Sequence, residues 1–172
     1  DIVVYDNPNI DIIGKKEYCR GDTVKLYASG GVYYSWTGYD HNVYGSELKY
    51  VADKYREIEL YGEDLHGCKN KSKTYIYVYN LPELSVKLDR DSICKGDSIV
   101  ISISGGIYYS WYDNMGNLYK DSSILVFPDK NTTYTVFATD KNGCSNSMEQ
   151  NVYVKDLPFV KINSMKYSLC KG

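Results

Sequence analysis

The sequence is poor in the side chains that move protons near neutral pH. It has two histidines among 172 residues, and histidine is the residue whose ordinary pKa lies in that range. It lacks a surplus of either charge: 20 Lys+Arg stand against 22 Asp+Glu, a formal charge of -2. That balance excludes the basic excess on which phosphate-driven nucleic-acid binding depends, and it argues against a polybasic membrane tether. No run of 18 apolar residues occurs, so the sequence offers no membrane-spanning helix. The basic n-region and apolar core of a signal peptide are also missing. Phenylalanine and tryptophan are scarce, at three and two residues, whereas tyrosine reaches 20. The five cysteines are an odd number, so one of them has no partner within the chain.

What is present is a repeat, the first signal to seek in a sequence of this kind. Tyr18-Cys19-Arg20-Gly21-Asp22-Thr23-Val24 returns 75 residues later as Ile93-Cys94-Lys95-Gly96-Asp97-Ser98-Ile99, and Leu169-Cys170-Lys171-Gly172 opens a third copy. Ser29-Gly30-Gly31-Val32-Tyr33-Tyr34-Ser35-Trp36 returns as Ser104-Gly105-Gly106-Ile107-Tyr108-Tyr109-Ser110-Trp111. Asp64-Leu65-His66-Gly67-Cys68 matches Asp140-Lys141-Asn142-Gly143-Cys144, and Tyr77-Val78-Tyr79-Asn80-Leu81-Pro82 matches Tyr153-Val154-Lys155-Asp156-Leu157-Pro158. Pro8, Pro82 and Pro158 mark the junctions. The expected organisation is a last strand of a preceding repeat over 1–7, one repeat over 8–81, a second over 82–157, and the first strand of a following repeat over 158–172. The chain reads as a slice of a longer tandem array.

Within each copy the apolar residues alternate, which is the pattern of half-buried strands. Examples are Val24/Leu26/Ala28, Val32/Tyr34/Trp36, Ile58/Leu60, Ile76/Val78, Ile99/Ile101/Ile103, Tyr134/Val136/Ala138 and Val152/Val154. Turn signals separate them at Gly30-Gly31, Asp113-Asn114-Met115-Gly116 and Asn142-Gly143. No segment sustains a helical period. The expected fold is all-β: tandem Ig-like antiparallel β-sandwiches of about 75 residues, each with about seven short strands. A unit this small buries only about 60% of its unfolded surface, so a covalent staple would help it.

The motifs Cys-x-Gly-Asp-(Ser/Thr)-(Val/Ile), Gly-Gly-x-Tyr-Tyr-Ser-Trp, Tyr-Thr-Val-x-x-Thr-Asp-x-x-Gly-Cys and Val-x-Val-x-x-Leu-Pro together resemble the PKD-like/Ig-like tandem repeats of large surface adhesins. Such adhesins, gliding-motility adhesins among them, are exported by the type IX secretion system of Bacteroidota. The second copy fits best. The first departs at Arg56-Glu57-Ile58-Glu59-Leu60-Tyr61, and neither carries the Trp-Asp-Phe-Gly-Asp-Gly signature of true PKD domains. The resemblance implies an extracellular, outer-membrane-associated location in an oxidising environment and a filament or stalk role; no Ser/His/Asp or paired-carboxylate set repeats in the sequence, so neither an enzyme nor a cofactor is expected.

Disulfides are therefore expected rather than a zinc site, since neither a Cys-x-x-Cys pair nor a recurring histidine partner is present. Three regular frames are open: Cys19–Cys68 with Cys94–Cys144 inside each copy, Cys68–Cys94 with Cys144–Cys170 across a short span, or Cys19–Cys144 across the junction. The last is preferred. In an Ig-type sandwich the first cysteine sits at the pole where the chain leaves and the second at the opposite pole, about eight residues or roughly 26 Å of strand away, whereas a disulfide needs Cα atoms about 4.4–6.8 Å apart. Cys68, Cys94 and Cys170 would then find partners outside this segment.

If Trp36, Leu60 and Val78 face inward, Tyr33, Tyr61 and Tyr77 face outward on neighbouring strands, extended by Tyr75 and Tyr79. The second copy offers Tyr108, Phe137 and Tyr153 at the same places. Such a row is a candidate contact surface for a surface polysaccharide or another cell-surface protein, and equally a set of cross-strand stabilisers. Thr23, Ser92 and Ser98 follow aspartates in a pattern that resembles bacterial O-glycosylation acceptors, although ordinary strand-entry chemistry is the preferred reading of these positions. Arg20-Gly21-Asp22 reads as a turn, with glycine supplying positive φ and aspartate a local hydrogen bond. Asp113-Asn114-Met115-Gly116-Asn117 and Asp140-Lys141-Asn142-Gly143 resemble calcium loops only loosely, lack the full ligand set and also read as turns. The segments 37–45 and 112–121 differ most between the copies and are where specificity would reside. The functional expectation is a structural and adhesive repeat segment whose partners are its neighbouring repeats. The rival readings are a carbohydrate-binding module of a secreted hydrolase and a passive spacer.

Overall fold

A computed structural model describes residues 2–162. The chain divides into two compact units. The first holds the residues up to Glu83 together with Thr139–Asn146, and the second holds Leu84–Ala138 and the residues from Ser147 onward. Cys170 and the opening of the third copy lie outside the described residues, and neither 2–10 nor 156–162 carries strand structure.

The first repeat contains β1 (Asp11–Ile13), β2 (Glu17–Cys19), β3 (Thr23–Ser29), β4 (Tyr33–Thr37), β5 (Val43–Tyr44), β6 (Glu47–Val51), β7 (Arg56–Glu63) and β8 (Lys69–Tyr79). Three strands form one sheet in the order β1-β3-β6, and five form the other in the order β2-β8-β7-β4-β5. The second repeat reproduces this plan with β9 (Ser85–Leu88), β10 (Ser92–Cys94), β11 (Ile99–Ser104), β12 (Tyr108–Asp113), β13 (Leu118–Tyr119), β14 (Ser123–Val126), β15 (Thr132–Thr139) and β16 (Ser145–Lys155). Its sheets run β14-β11-β9 and β10-β16-β15-β12-β13. Each repeat is an Ig-like sandwich. The sheets are not wholly antiparallel: β2 runs parallel to β8, and β10 runs parallel to β16. The cysteine of the Cys-x-Gly-Asp turn ends the parallel strand in both copies.

Period-two patterning decides which residues meet. Val24, Leu26, Leu48 and Tyr50 from the three-stranded sheet close against Trp36, Ile58, Leu60 and Ile76 from the five-stranded one. Ile99, Ile101, Ile124 and Val126 do the same against Trp111, Tyr134, Val136 and Val152. Trp36 and Trp111 are fully buried, and burying large side chains from water is the main favourable term in a core of this kind. Their indole N–H groups are satisfied by backbone carbonyls, Trp36 Nε1 donating to Gly45 O at 2.9 Å and Trp111 Nε1 to Asp121 O at 3.0 Å. One expected alternation fails at its first member. Val32 and its counterpart Ile107 are exposed and precede their strands, because the Gly-Gly turn still governs the backbone there. The second tyrosine of each Gly-Gly-x-Tyr-Tyr motif closes that turn: Gly31 N donates to Tyr34 Oη, and the hydroxyl donates back to Gly31 O. Gly106 and Tyr109 repeat the arrangement.

The indole acceptor shows how the copies differ in strain. Gly45 holds φ at 111°, whereas Asp121 holds 146° as a non-glycine residue. A side chain in that region of φ is disfavoured by steric clash. Asp121→Gly is expected to stabilise the protein by roughly 1 kcal/mol, read as a rise in the denaturant midpoint of the second repeat; no change would mean that the site carries no strain.

Burial also leaves a titration signature. Desolvation pushes the Tyr50 hydroxyl up to about 12, with Arg56 opposing the shift, and raises Tyr134 as well. A tyrosine whose native pKa lies above its unfolded value contributes stability in full below about pH 10, and that contribution fades as pH rises beyond it. Tyr50→Phe and Tyr134→Phe are therefore expected to reduce the loss of stability between about pH 10 and 12, measured by denaturant melts across that interval.

Candidate functional site

The candidate site is built around Cys19. In β2, Glu17, Tyr18 and Cys19 register beside Tyr77, Val78 and Tyr79 of β8. The chain then turns. Arg20 N donates to Tyr79 O at 2.8 Å, Gly21 adopts φ of 93°, and Asp22 Oδ2 accepts the Cys19 N–H at 3.0 Å. Gly96 and Asp97 repeat this turn around Cys94. The aspartate of the Arg-Gly-Asp triplet is thus occupied as a cap, and Arg20 Nε donates to Asn80 Oδ1.

Cys144 lies in the turn between β15 and β16. Asp140 Oδ1 accepts the N–H groups of Asn142 and Cys144, at 2.8 and 2.9 Å, and Gly143 takes φ of 81°. Asp64, His66, Gly67 and Cys68 form the same turn in the first repeat. Both aspartates spend a carboxylate oxygen on their own loop, as a turn requires. The Asp113 loop is likewise closed. Its buried carboxylate receives Met115 N, Asn117 N and Nδ2, and Tyr119 Oη. Burial pushes the Asp113 pKa up, but the hydrogen bonds from Asn117, Met115 and Tyr119 outweigh it, and the net shift is downward. Among the described residues no group of three or more His, Cys, Asp or Glu side chains is placed to hold a metal ion.

Cys19 and Cys144 are joined by a disulfide with Cα atoms 5.5 Å apart, inside the normal window. The bond encloses the Leu81-Pro82 step of the chain. Beside it, Asn146 Nδ2 donates to the Pro82 carbonyl at 3.0 Å. Cys68 and Cys94 are free, half-buried thiols, so neither the frame within each copy nor the Cys68–Cys94 frame forms. The reason for the first is strand length. Cys68 directly precedes β8 and Cys19 registers with its last residue, 11 residues on, or roughly 35 Å at the usual rise. Cys144 and Cys94 stand at opposite ends of β16 in the same way.

The tyrosines fall into separate groups rather than one row. On the five-stranded sheet of the first repeat, Tyr33, Tyr44 and Tyr61 line an open groove of about 630 Å³ with Glu63, Lys69 and Lys71. Tyr61 Oη donates to Glu59, which fixes the ring, and Lys69 pairs with Glu63. Tyr75 and Tyr77 instead gather around Tyr55, with ring centroids 6.3 and 5.5 Å away. Glu57, Glu59 and Lys73 lie between the two groups as ion pairs, because β7 presents glutamates at alternate outward positions. Tyr79 is half-buried beside Cys19. In the second repeat Tyr108 and Tyr153 are exposed, and Phe137 packs edge-on against Tyr112 at 6.1 Å. Sequence reasoning missed Tyr44, Tyr55 and Tyr112; the divergence of segments 37–45 and 112–121 was the signal for two of them. Thr23 is exposed, while Ser92 and Ser98 are half-buried.

The departure at Arg56 has a clear basis. Its side chain is buried, pairs with Asp53 at 3.1 Å and Asp40 at 3.3 Å, and lies over the Tyr39 and Tyr50 rings. It pins segment 37–45, where the second repeat has the buried Thr132.

Residues 81–158 match the family model described as Ig-like domain CHU_C associated. No curated protein matches the chain. Solved structures to which the chain is similar include that of a 1.5-MDa bacterial ice-binding adhesin, 12% identical over 87% of this chain and 66% of that one, with a TM-score of 0.42. Insect hemolin is 15% identical over 90% and 49%, TM-score 0.44, and a Ca2+-stabilised ice-binding adhesin of an Antarctic bacterium is 11% identical over 88% and 50%, TM-score 0.47. The chain spans about half to two thirds of the length of these structures. Among the described residues, no helix is long and apolar enough to cross a membrane.

The disulfide closes a loop of 125 residues, for which the chain-entropy treatment gives a stabilisation of up to about 5 kcal/mol. Cys19→Ser is expected to lower the denaturant midpoint and to make Cys144 alkylatable without reductant. An unchanged midpoint, with Cys144 still protected, would show that Cys19 is not its partner.

Proposed function

We propose that this chain is part of a tandem array of Ig-like repeats in a cell-surface filament or stalk, and that its task is reach and stiffness with many weak surface contacts. The observation that carries this reading is the Cys19–Cys144 bond, which ties residues of the second repeat to the first across the Leu81-Pro82 boundary. Load borne along the chain would bypass that short linker. A structural disulfide also needs an oxidising compartment, which supports an extracellular location; association with the outer membrane, export by the type IX route and a part in gliding motility are the finer forms of the proposal. Weak contacts repeated along one array add through effective concentration.

Small-angle scattering on oxidised and reduced protein tests the stiffness. Reduction is expected to broaden the distribution of interatomic distances without unfolding either repeat. Superimposable profiles would reject a mechanical role for the bond.

One observation favours a second reading, a carbohydrate-binding module. The Tyr33/Tyr44/Tyr61 groove combines aromatic faces with polar groups in the manner of ligand clefts. Tight binding of the isolated chain on a glycan array would favour it, and no binding at all would favour a passive spacer.

A further inference from the structure

Two places in the first compact unit are built alike, and only one is complete. At the complete one, the strand ending in Tyr79 leads to Pro82, whose carbonyl accepts from Asn146, and Cys144 is bonded to Cys19 beside Tyr79. At the other, the segment ending in Tyr5 leads to Pro8, whose carbonyl accepts from Asn70 Nδ2 at 2.9 Å. Cys68 there directs its Sγ at the Tyr5 carbonyl, 3.9 Å away. His66, from the same turn, stacks on the Tyr5 ring with centroids 3.8 Å apart. Tyr5, Pro8, Cys68 and Asn70 thus stand where Tyr79, Pro82, Cys144 and Asn146 stand, and among the described residues no counterpart of Cys19 stands at the second place.

An independent observation points to the same occupant. Ile2 and Val4 match Ile76 and Val78 of β8 in sequence. Ile76 is fully buried in its core, whereas Ile2 and Val4 are 93% and 85% exposed. Ile2, Val3 and Val4 are consecutive apolar residues, all exposed, in a segment that carries no strand structure of its own, and an exposed apolar run of this kind marks a segment that belongs against a partner. Beside β8, the strand that lies along this edge is β2, which carries Cys19.

We propose that Cys68 is the receiving half of a second staple, whose partner is the cysteine of a Cys-x-Gly-Asp turn in another Ig-like repeat of this kind seated along residues 2–5. Cys94, held in a turn that matches that of Cys19, is the presenting half of a third. The inference rests on the tandem-array reading. Each bond forms by exchange with a small-molecule disulfide of the glutathione class: two S–H bonds break, one protein S–S bond forms, and the two electrons and two protons leave on two molecules of the reduced thiol. The consequence follows from two lengths. The staple spans 125 residues and the repeat is about 75, so successive staples overlap. Every peptide bond between the first presenting cysteine and the last receiving one is enclosed by at least one disulfide loop, and a single proteolytic cut there cannot sever the array.

The test lengthens the chain by one repeat. A copy of residues 8–81 is inserted between Asn7 and Pro8, with Arg20→Lys in the insert to mark its Cys19 peptide by mass and Cys68→Ser in the insert to exclude an internal bond. After refolding in a glutathione redox buffer, non-reduced peptide mapping is expected to find the marked Cys19 peptide joined to the Cys68 peptide of the following copy, with alkylation of that Cys68 lost. A protease cut in the insert beyond its Cys19 is expected to release no fragment until reductant is added. Recovery of the unmarked Cys19–Cys144 bond while Cys68 stays alkylatable would overturn the overlapping ladder and leave the proposed function standing. Loss of Cys19–Cys144 itself in the parent chain would overturn the proposed function. An insert made from residues 82–157, with Cys94→Ser in the downstream copy, repeats the test in a second sequence: its Cys94 is expected on Cys68, and a free Cys68 there also overturns the proposal.

Discussion

The parallel pairing of β2 with β8 is the constraint on which the rest depends. It sets a three-residue strand beside the last residues of the longest strand in the repeat, so that Cys19 comes to rest next to Tyr79, where the chain is about to leave the unit. An antiparallel strand in the same place would set Cys19 beside Tyr77 instead of Tyr79 and send the chain the other way along the sheet. The turn that follows is fixed by local chemistry, with a glycine at positive φ and an aspartate capping the cysteine amide. The position of the sulfur is therefore decided by a sheet register and four consecutive residues, and a rigid presentation of this sort is what a disulfide with narrow distance limits demands.

The opposite sulfur is positioned by equally economical means. Asp140 folds its own loop by accepting two amide hydrogens, and Gly143 supplies the turn that aims Cys144. Asp64 and Gly67 build the same loop around Cys68, so each repeat holds one cysteine of either kind of turn, and strand length keeps the two apart. Two sites within one sandwich that cannot meet each other are suited to joining different modules.

Against this shared frame the repeats diverge on the five-stranded sheet. The first uses a buried Arg56 held by Asp40 and Asp53 and covered by Tyr39 and Tyr50. A guanidinium in that position stays charged, so its carboxylate partners and aromatic faces are what make burial tolerable. The second repeat places a small threonine there and closes its own loop on Asp113 instead. Each solution orders a different segment next to a differently shaped aromatic surface: an open tyrosine groove in the first, an edge-on Tyr112–Phe137 pair in the second. These differences leave the turns that position the cysteines alike in both copies.

Much of this was legible in the sequence. The internal repeat, the alternation of apolar residues and the Gly-Asp and Gly-Cys turns are local properties, and local geometry follows from them because period-two patterning and positive-φ glycines leave the backbone few alternatives. The sequence also showed that Arg56 broke the pattern, without showing what the arginine held. The tertiary structure alone decided the parallel edge strand and the split of the tyrosines by the glutamates of β7, and among the three cysteine frames left open by the sequence it holds the Cys19–Cys144 bond that strand length favoured. These depend on register and on strand length in space, and residues far apart in the chain acquire a distance only when the sheets close over Trp36 and Trp111.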